Sequence, residues 1–167
     1  MKTKQIVLLL GGNIGDTRGY IRNGLTLLEQ QLGFLTHLSS FYKTTSWGFD
    51  SADFINLAIV IETEKTAEQC LSITQGIEEE LGRINHNTKD GYADRSLDID
   101  IIFYDNETIE SDTLIIPHPR MHQRNFVLQA LLEIIPHFIH PVFNKSIETL
   151  ANQCKDSLNT LLLNEQV

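Results

Sequence analysis

The stretch FINLAIVI at residues 54–61 decides the fold, because its side chains alternate with a two-residue period. One face of the predicted strand is entirely aliphatic: Ile55, Leu57, Ile59 and Ile61. The opposite face is mixed: Phe54, Asn56, Ala58 and Val60. Since successive residues of a strand point to opposite sides of its sheet, this pattern predicts a central strand with two different faces.

Glycine residues and a helix cap mark the boundaries of the elements that precede this strand. The apolar run at residues 6–10 stops at Gly11-Gly12, which predicts a buried strand. A helix follows, capped by Asp16 and closed by Gly33. Residues 34–45 favour an extended strand and residues 46–53 a loop.

Downstream, a capping box at Thr66 begins a second helix, and residues 82–96 form a polar loop. The next strand carries its apolar ladder on one face: Leu97, Ile99, Ile101 and Phe103. A turn at residues 105–106 leads to a short return strand near Ile109. Two further helices are predicted at about residues 126–135 and from Ser146, and the tail after Asn159 carries little signal.

The predicted order is β-α-β-β-α-β followed by helices. This order is typical of an α+β fold of the ferredoxin-like type, an antiparallel sheet with helices on one face, here with extra C-terminal helices. The 167 residues contain no internal repeat and no linker, so we expect a single domain over residues 1–167.

Composition excludes several classes of function. With 13 Lys+Arg against 22 Asp+Glu the net charge is −9, which argues against a nucleic-acid partner and against an acidic membrane surface. Two distant cysteines, Cys70 and Cys154, form no disulfide framework. The apolar run at residues 6–10 is too short for a signal or a membrane span. We therefore expect a cytoplasmic protein.

The motif Arg95-Ser96-Leu97-Asp98-Ile99-Asp100-Ile101 carries the strongest chemical signal. Asp98 and Asp100 are two residues apart on a strand, so both carboxylates point to the same side. Paired hard oxygen ligands suit Mg²⁺ bound together with substrate phosphates. Taken alone, the pair is more often a solvated strand face, because the D-x-D spacing commonly arises by chance.

Two basic loops flank that motif in an otherwise acidic chain. Their cationic side chains are Arg83, His86, Lys89 and Arg95 before it, and His118, Arg120, His122 and Arg124 after it. Arginines beside metal-binding carboxylates favour phosphoryl transfer, although two solvated loops would look the same. Zinc binding by His118 and His122 is disfavoured, because Pro117 and Pro119 prevent the helix that their spacing requires.

Further features suit a planar ligand. Phe54 and Asn56 share a strand face. In that arrangement the Phe54 ring is suited to stack on a heterocycle, and the Asn56 amide is suited to form hydrogen bonds with its edge. Phe126 supplies a second ring, although single aromatic residues more often pack in a core. The glycine turn at residues 11–15 permits close approach of a ligand, or is simply a tight turn.

Several blocks in order, from about Ile6 to Asn159, resemble the 6-hydroxymethyl-7,8-dihydropterin pyrophosphokinase family of folate synthesis. They are Leu10–Asp16, Ser40–Thr44, Trp47-Gly48, Asp53–Asn56, Arg95–Asp100 and Ile116–Leu128. The resemblance implies that the pterin hydroxymethyl oxygen attacks the β-phosphorus of ATP and that AMP leaves. It also implies two Mg²⁺ ions, ATP as co-substrate, small-molecule partners only and a monomer.

The resemblance also assigns site residues. Metal binding is implied for Asp98 and Asp100, and catalysis for these two together with Arg83 and Arg95. The implied pterin contacts are Thr44, Trp47, Phe54, Asn56 and Phe126. The implied ATP contacts are Gln75, Glu78, Arg83, Arg95, His118 and Arg124. One departure is Asp94, which stands in place of a usual proline beside the motif arginine and is expected either to weaken ATP binding or to reorient the loop.

Two other classes of function remain open at this stage. A non-catalytic ferredoxin-like ligand-binding module explains the order of elements but not the aspartate pair together with the basic loops. A D-x-D nucleotidyltransferase explains the aspartate pair but releases pyrophosphate instead of AMP.

Overall fold

The structure is a computed structural model that describes residues 2–45, 52–82, 96–164 and 167. In those residues the elements are, in order, β1 (Lys4–Gly12), α1 (Thr17–Gln31), β2 (Gly33–Leu38), β3 (Phe41–Thr44), β4 (Phe54–Thr63), α2 (Ala67–Glu80), β5 (Asp98–Tyr104), β6 (Ile109–Glu110), β7 (Ile115–Ile116), a 3₁₀ turn (Met121–Gln123), α3 (Asn125–Ile134), α4 (Ile147–Gln153) and β8 (Thr160–Leu163).

The strands form one antiparallel sheet in the order β5-β1-β4-β3-β8, and β2 also pairs with β4. β1 and β4 run side by side without interruption, from the pair Lys4–Thr63 to the pair Gly12–Ile55. A separate small ribbon joins β6 to β7. The predicted antiparallel α+β architecture is confirmed, with β4 at its centre.

The aliphatic face of the sheet packs under α1 and α2. Leu10, Leu57 and Ile59 belong to this core and are fully buried, as are Ile21 of α1 and Cys70 of α2. The helix starts are as predicted: the Asp16 carboxylate accepts the Gly19 N–H at 3.1 Å, and Thr66 and Gln69 form a capping box. Local sequence therefore sets where these two helices begin.

The second face of the sheet is also covered, which corrects the expectation of helices on one face only. Val7, Leu9, Ala58 and Val60 form a second core with α3 and α4, among them Leu128, Leu131 and Ile147. Because the second face of β1 and β4 is apolar at these positions, the C-terminal helices bury it and the protein has three layers.

Two strand predictions need correction. Residues 34–45 form two strands, because Ser39 interrupts them and bonds the Ala58 backbone through both its N–H and its hydroxyl. A β-bulge in β5 at Ile102 turns Phe103 away from its predicted ladder and into the second core. The short strand predicted near Ile109 is confirmed as β6, which pairs with β7, and the tail, for which no element was predicted, forms β8 along β3. No helix in the described ranges is long and apolar enough to cross a membrane.

Candidate active site

A single cross-strand row brings the central site residues together. Asp98 of β5 pairs with Gly11 of β1, and Gly11 pairs with Asn56 of β4. A Cβ atom at Gly11 would overlap the Asn56 amide, so this glycine leaves the space above β1 for that amide. Asn56 is buried and Asp98 is partly exposed, so the row leads from the interior to the edge of the sheet.

Asp100 lies one row further along the same strand face. Its neighbour in β1 is Leu9, which in turn pairs with Ala58. Leu9 and Ala58 are buried in the second core, whereas Asp100 stays partly exposed. The two carboxylates therefore lie side by side at the border between the second core and solvent, on one side of β5 as predicted.

Glu78 holds the strand that carries both aspartates. Its carboxylate is buried, 3% exposed, and accepts the backbone N–H of Ile99 at 2.7 Å. Ile99 lies between Asp98 and Asp100, on the edge strand of the sheet. Glu78 therefore supplies a hydrogen-bond partner that an edge strand otherwise lacks. Gln75, one turn earlier on α2, is exposed.

Thr44 and Phe54 form a cross-strand pair at the same end of the sheet. Phe54 is partly buried and shares the Asn56 face of β4. Thr44 is 4% exposed, and its hydroxyl has no hydrogen-bond partner among the described residues. A buried hydroxyl of this kind is suited to bond a ligand.

His118 is anchored by the bulge in β5. Its backbone N–H donates to the Ile102 carbonyl at 3.0 Å, and its ring Nδ1 accepts the Arg120 N–H at 3.1 Å. Burial lowers the pKa of His118, and the nearby Arg124 and Arg120 lower it further, while Asp98 opposes them. The ring is therefore neutral at pH 7 with its proton on Nε2, which is left as a hydrogen-bond donor.

Arg124 and Phe126 lie at the start of α3. Both are partly buried, and Phe126 packs against the second core. Because Arg124 and Asp98 both act electrostatically on His118, the structure brings the basic segment to the aspartate pair. The remaining predicted contacts, Trp47, Arg83 and Arg95, lie outside the described residues.

The donor set suits Mg²⁺. Asp98 and Asp100 offer hard carboxylate oxygens, and the described residues contain no cluster of three or more His, Cys, Asp or Glu side chains that would hold a metal without a substrate. Mg²⁺ keeps several waters and commonly takes one or two carboxylates together with substrate phosphates. The two aspartates fit that pattern.

Two surface clefts of about 420 and 360 Å³ contain none of the predicted site residues. One lies at the far end of β4, beside Glu62–Lys65. The other lies between Leu38–Ser40 and the C-terminal strand. The candidate site therefore rests on the cross-strand row and on the start of α3.

Comparison with known proteins identifies the family of the chain. The profile of the family described as 7,8-dihydro-6-hydroxymethylpterin-pyrophosphokinase (HPPK) matches residues 7–136. The chain belongs to the HPPK family. The matched region runs from within β1 to just beyond α3, and it includes each predicted site residue.

Two similar proteins carry the name of this enzyme family. The chain is 38% identical over 138 residues to the 2-amino-4-hydroxy-6-hydroxymethyldihydropteridine pyrophosphokinase of Porphyromonas gingivalis, covering 81% of this chain and 93% of the relative. It is 42% identical over 129 residues to the protein of the same name from Bacillus subtilis (strain 168), covering 76% and 75%. The resemblance to this family is thus confirmed.

A solved structure shares the HPPK fold. The wild-type HPPK-DHPS of Plasmodium falciparum, crystallised with pteroate, superposes with a TM-score of 0.75 at 18% identity. The match covers 91% of this chain and 44% of the solved one, so this chain spans less than half of that protein. The likeness supports the ferredoxin-like fold that the order of elements predicted.

Sequence reasoning missed three supporting contacts: the Glu78–Ile99 bond, the Ile102–His118 bond and the bond from Asn125 N–H to Asp156 at 2.9 Å. Each joins positions 16 or more residues apart. No local spacing pattern signals them. The sole hint for the last one is that α3 has no capping residue of the usual type before it.

Proposed function

We propose that this HPPK-family protein transfers the terminal pyrophosphoryl group of ATP to the hydroxymethyl group of 6-hydroxymethyl-7,8-dihydropterin in folate biosynthesis. The hydroxymethyl oxygen bonds to the β-phosphorus and loses its proton, while the bond from that phosphorus to the α–β bridging oxygen breaks. AMP leaves with that oxygen. The observation that carries the proposal is the juxtaposition of Asp98, Asn56, His118 and Arg124 in a chain of this family.

The pterin is bound between the sheet and α3. Phe54 on β4 and Phe126 on α3 come from opposite walls and are partly exposed, as a ring that stacks on a ligand must be. Asn56 presents an amide, which donates and accepts hydrogen bonds at the edge of the heterocycle. Thr44 contributes its buried hydroxyl, and Trp47 completes the pterin contacts.

Asp98 and Asp100 are the residues that would hold two Mg²⁺ ions together with the triphosphate. Bound there, Mg²⁺ would neutralise the phosphate oxygens and lower the pKa of the pterin hydroxyl. The carboxylates themselves raise the local negative charge of a chain whose net charge is already −9. Triphosphate binding at this edge therefore requires cations between the phosphates and the protein.

The basic segments neutralise the transferred group. Neutral His118 donates from Nε2, and Arg124 presents a guanidinium fork that matches phosphate oxygens. Arg83 and Arg95 contribute two more forks from the segment before β5, and Gln75 and Glu78 lie near the nucleotide. Fixed donors of this kind stabilise charge that develops in the transition state.

We propose that the protein works as a cytoplasmic monomer.

A product assay tests this function. The purified chain, with ATP, Mg²⁺ and the hydroxymethyl pterin, should release AMP and the pterin diphosphate, and omission of either the pterin or Mg²⁺ should stop AMP release. ADP as the product would show an ordinary kinase. Release of pyrophosphate would show a nucleotidyltransferase. Ligand binding without turnover and without need of Mg²⁺ would show a binding module.

A further inference from the structure

The helix α3, which begins between the site residues Arg124 and Phe126, has an unusual start. α3 begins after Arg124, which makes no side-chain capping hydrogen bond in the described structure. Three other helices are capped by the residue directly before them: α1 by Asp16, α2 by Thr66 and α4 by Ser146. The first turn of α3 therefore needs a partner from elsewhere for its backbone N–H groups.

Asp156, beyond the end of α4, supplies this partner. Its Oδ2 accepts the backbone N–H of Asn125 at 2.9 Å, and its Oδ1 accepts the N–H of Leu158 at 3.0 Å. The second bond fixes the carboxylate within its own turn. A carboxylate at the first turn of a helix is also favoured by the partial positive charge at that end.

The capped N–H lies between Arg124, directly before α3 and assigned to ATP, and Phe126, the second residue of α3 and assigned to pterin. The same tail continues into β8, which pairs with β3 and places Thr160 opposite Thr44. Residues 155–163 thus contact both the α3 wall and the β3 wall of the site. They lie outside residues 7–136, the part of the chain that the family profile matches.

We propose that Asp156 is a positioning residue that holds Arg124 and Phe126 in their ligand-binding arrangement. The inference rests on the proposed function, since it takes these two residues as ligand contacts. Without the Asp156 carboxylate the first turn of α3 loses its bond at Asn125 and frays. The Phe126 ring and the Arg124 guanidinium then become ordered only when a ligand binds. Because this ordering costs conformational entropy, the affinity for both ligands falls.

The test measures the dissociation constants of two ligands for Asp156→Ala and for wild type. In one titration the ligand is a non-hydrolysable ATP analogue alone. In the other it is the hydroxymethyl pterin, added in the presence of Mg²⁺ and the analogue. Loss of a helix cap corresponds to about a fivefold change in an equilibrium. We expect both dissociation constants to rise by about this factor, with KM values rising more than kcat falls. Asp156→Asn keeps an acceptor for the Asn125 N–H and should restore affinity to within about twofold.

Ser146→Ala is the matched control. It removes the cap of α4, which packs in the same core as α3 but carries no predicted ligand contact. It should lower the melting temperature as much as Asp156→Ala does and leave both dissociation constants unchanged. Equal weakening of ligand binding in the two variants, or wild-type affinity in Asp156→Ala, would overturn the inference. A wild-type protein that binds neither ligand would instead overturn the proposed function, and this inference with it.

Discussion

At the scale of single residues, Asp100 provides the most direct test of metal binding. We expect Asp100→Ala to reduce AMP release by at least about 10²-fold, the usual cost of losing one group that stabilises transition-state charge. The partly exposed side chain contributes little to packing, so the melting temperature should stay close to that of wild type.

The matched control for that variant is Asp105→Asn, directly after the far end of the same strand. Asp105 pairs with Lys4 at 3.1 Å and lies away from the site. Its turnover should equal that of wild type. Near-normal activity of Asp100→Ala would contradict the metal role.

Phe126 separates pterin binding from nucleotide binding. Stacking of an aromatic side chain on a base contributes about 1–3 kcal/mol, so Phe126→Ala should weaken pterin binding by roughly 5- to 100-fold. Affinity for the ATP analogue alone should change by less than about twofold. Calorimetric titration measures both. Equal losses for the two ligands would indicate a collapsed α3 start instead of a lost ring.

His118 tests which ring nitrogen faces the phosphates. Because Nδ1 accepts the Arg120 N–H, the available donor is Nε2. Glutamine places its amide nitrogen near the position of Nε2, and asparagine near that of Nδ1. His118→Gln should therefore retain more nucleotide affinity than His118→Asn. The reverse order of the two dissociation constants would show that the ring is turned over.

At the scale of secondary-structure elements, β5 depends on a side chain from α2. Glu78→Ala leaves the Ile99 N–H buried without its acceptor, which costs about 1–3 kcal/mol. We expect a lower urea midpoint and a reduced kcat, because Ile99 lies between the two aspartates.

Glu78→Gln keeps a carbonyl acceptor and is the control for that prediction. It should recover most of the lost stability. A stable Glu78→Ala protein whose sole defect is weak nucleotide binding would show that Glu78 acts on the ligand directly and not through β5.

At the scale of the whole molecule, His140 links folding to pH. It is 3% exposed, and its Nδ1 accepts the N–H groups of Val142 and Phe143 at 3.2 Å. Burial, with a smaller contribution from His122, lowers the pKa of His140 to about 4. The unfolded chain therefore takes up a proton near pH 6.5, before the folded protein does. The free energy of unfolding should fall between about pH 6.5 and pH 4, by up to about 3 kcal/mol from this group.

His140→Asn keeps an acceptor near the Nδ1 position but does not titrate. It also loses ring contacts with Phe103 and Phe143, so it should be less stable at every pH. The informative quantity is the slope of unfolding free energy against pH between 4 and 6.5, measured by urea titration. That slope should be smaller in the variant, and an unchanged slope would remove His140 as its source.

Much of this structure was predictable because its signals are local. The alternation at residues 54–61 marked the central strand, and Asp16, Thr66 and Ser146 marked helix starts that the structure shows. The Asp98–Asp100 spacing placed both carboxylates on one side of β5. The roles of all the predicted site residues stay predictions, and three of them, Trp47, Arg83 and Arg95, also lie outside the described residues.

The sequence alone therefore determined the hydrophobic period of each helix and strand, the residues that cap the helices, and the family to which the sequence motifs point. These features depend on residues that are only a few positions apart. Tertiary structure decided the rest: the second covered face, the bulge that seats His118, the Glu78 bond and the Asp156 cap. β8 belongs to the same group, because a four-residue strand with exposed leucines is ordered only by the partner beside it. These features satisfy backbone groups with atoms distant along the chain, and such partners meet only after the chain has folded.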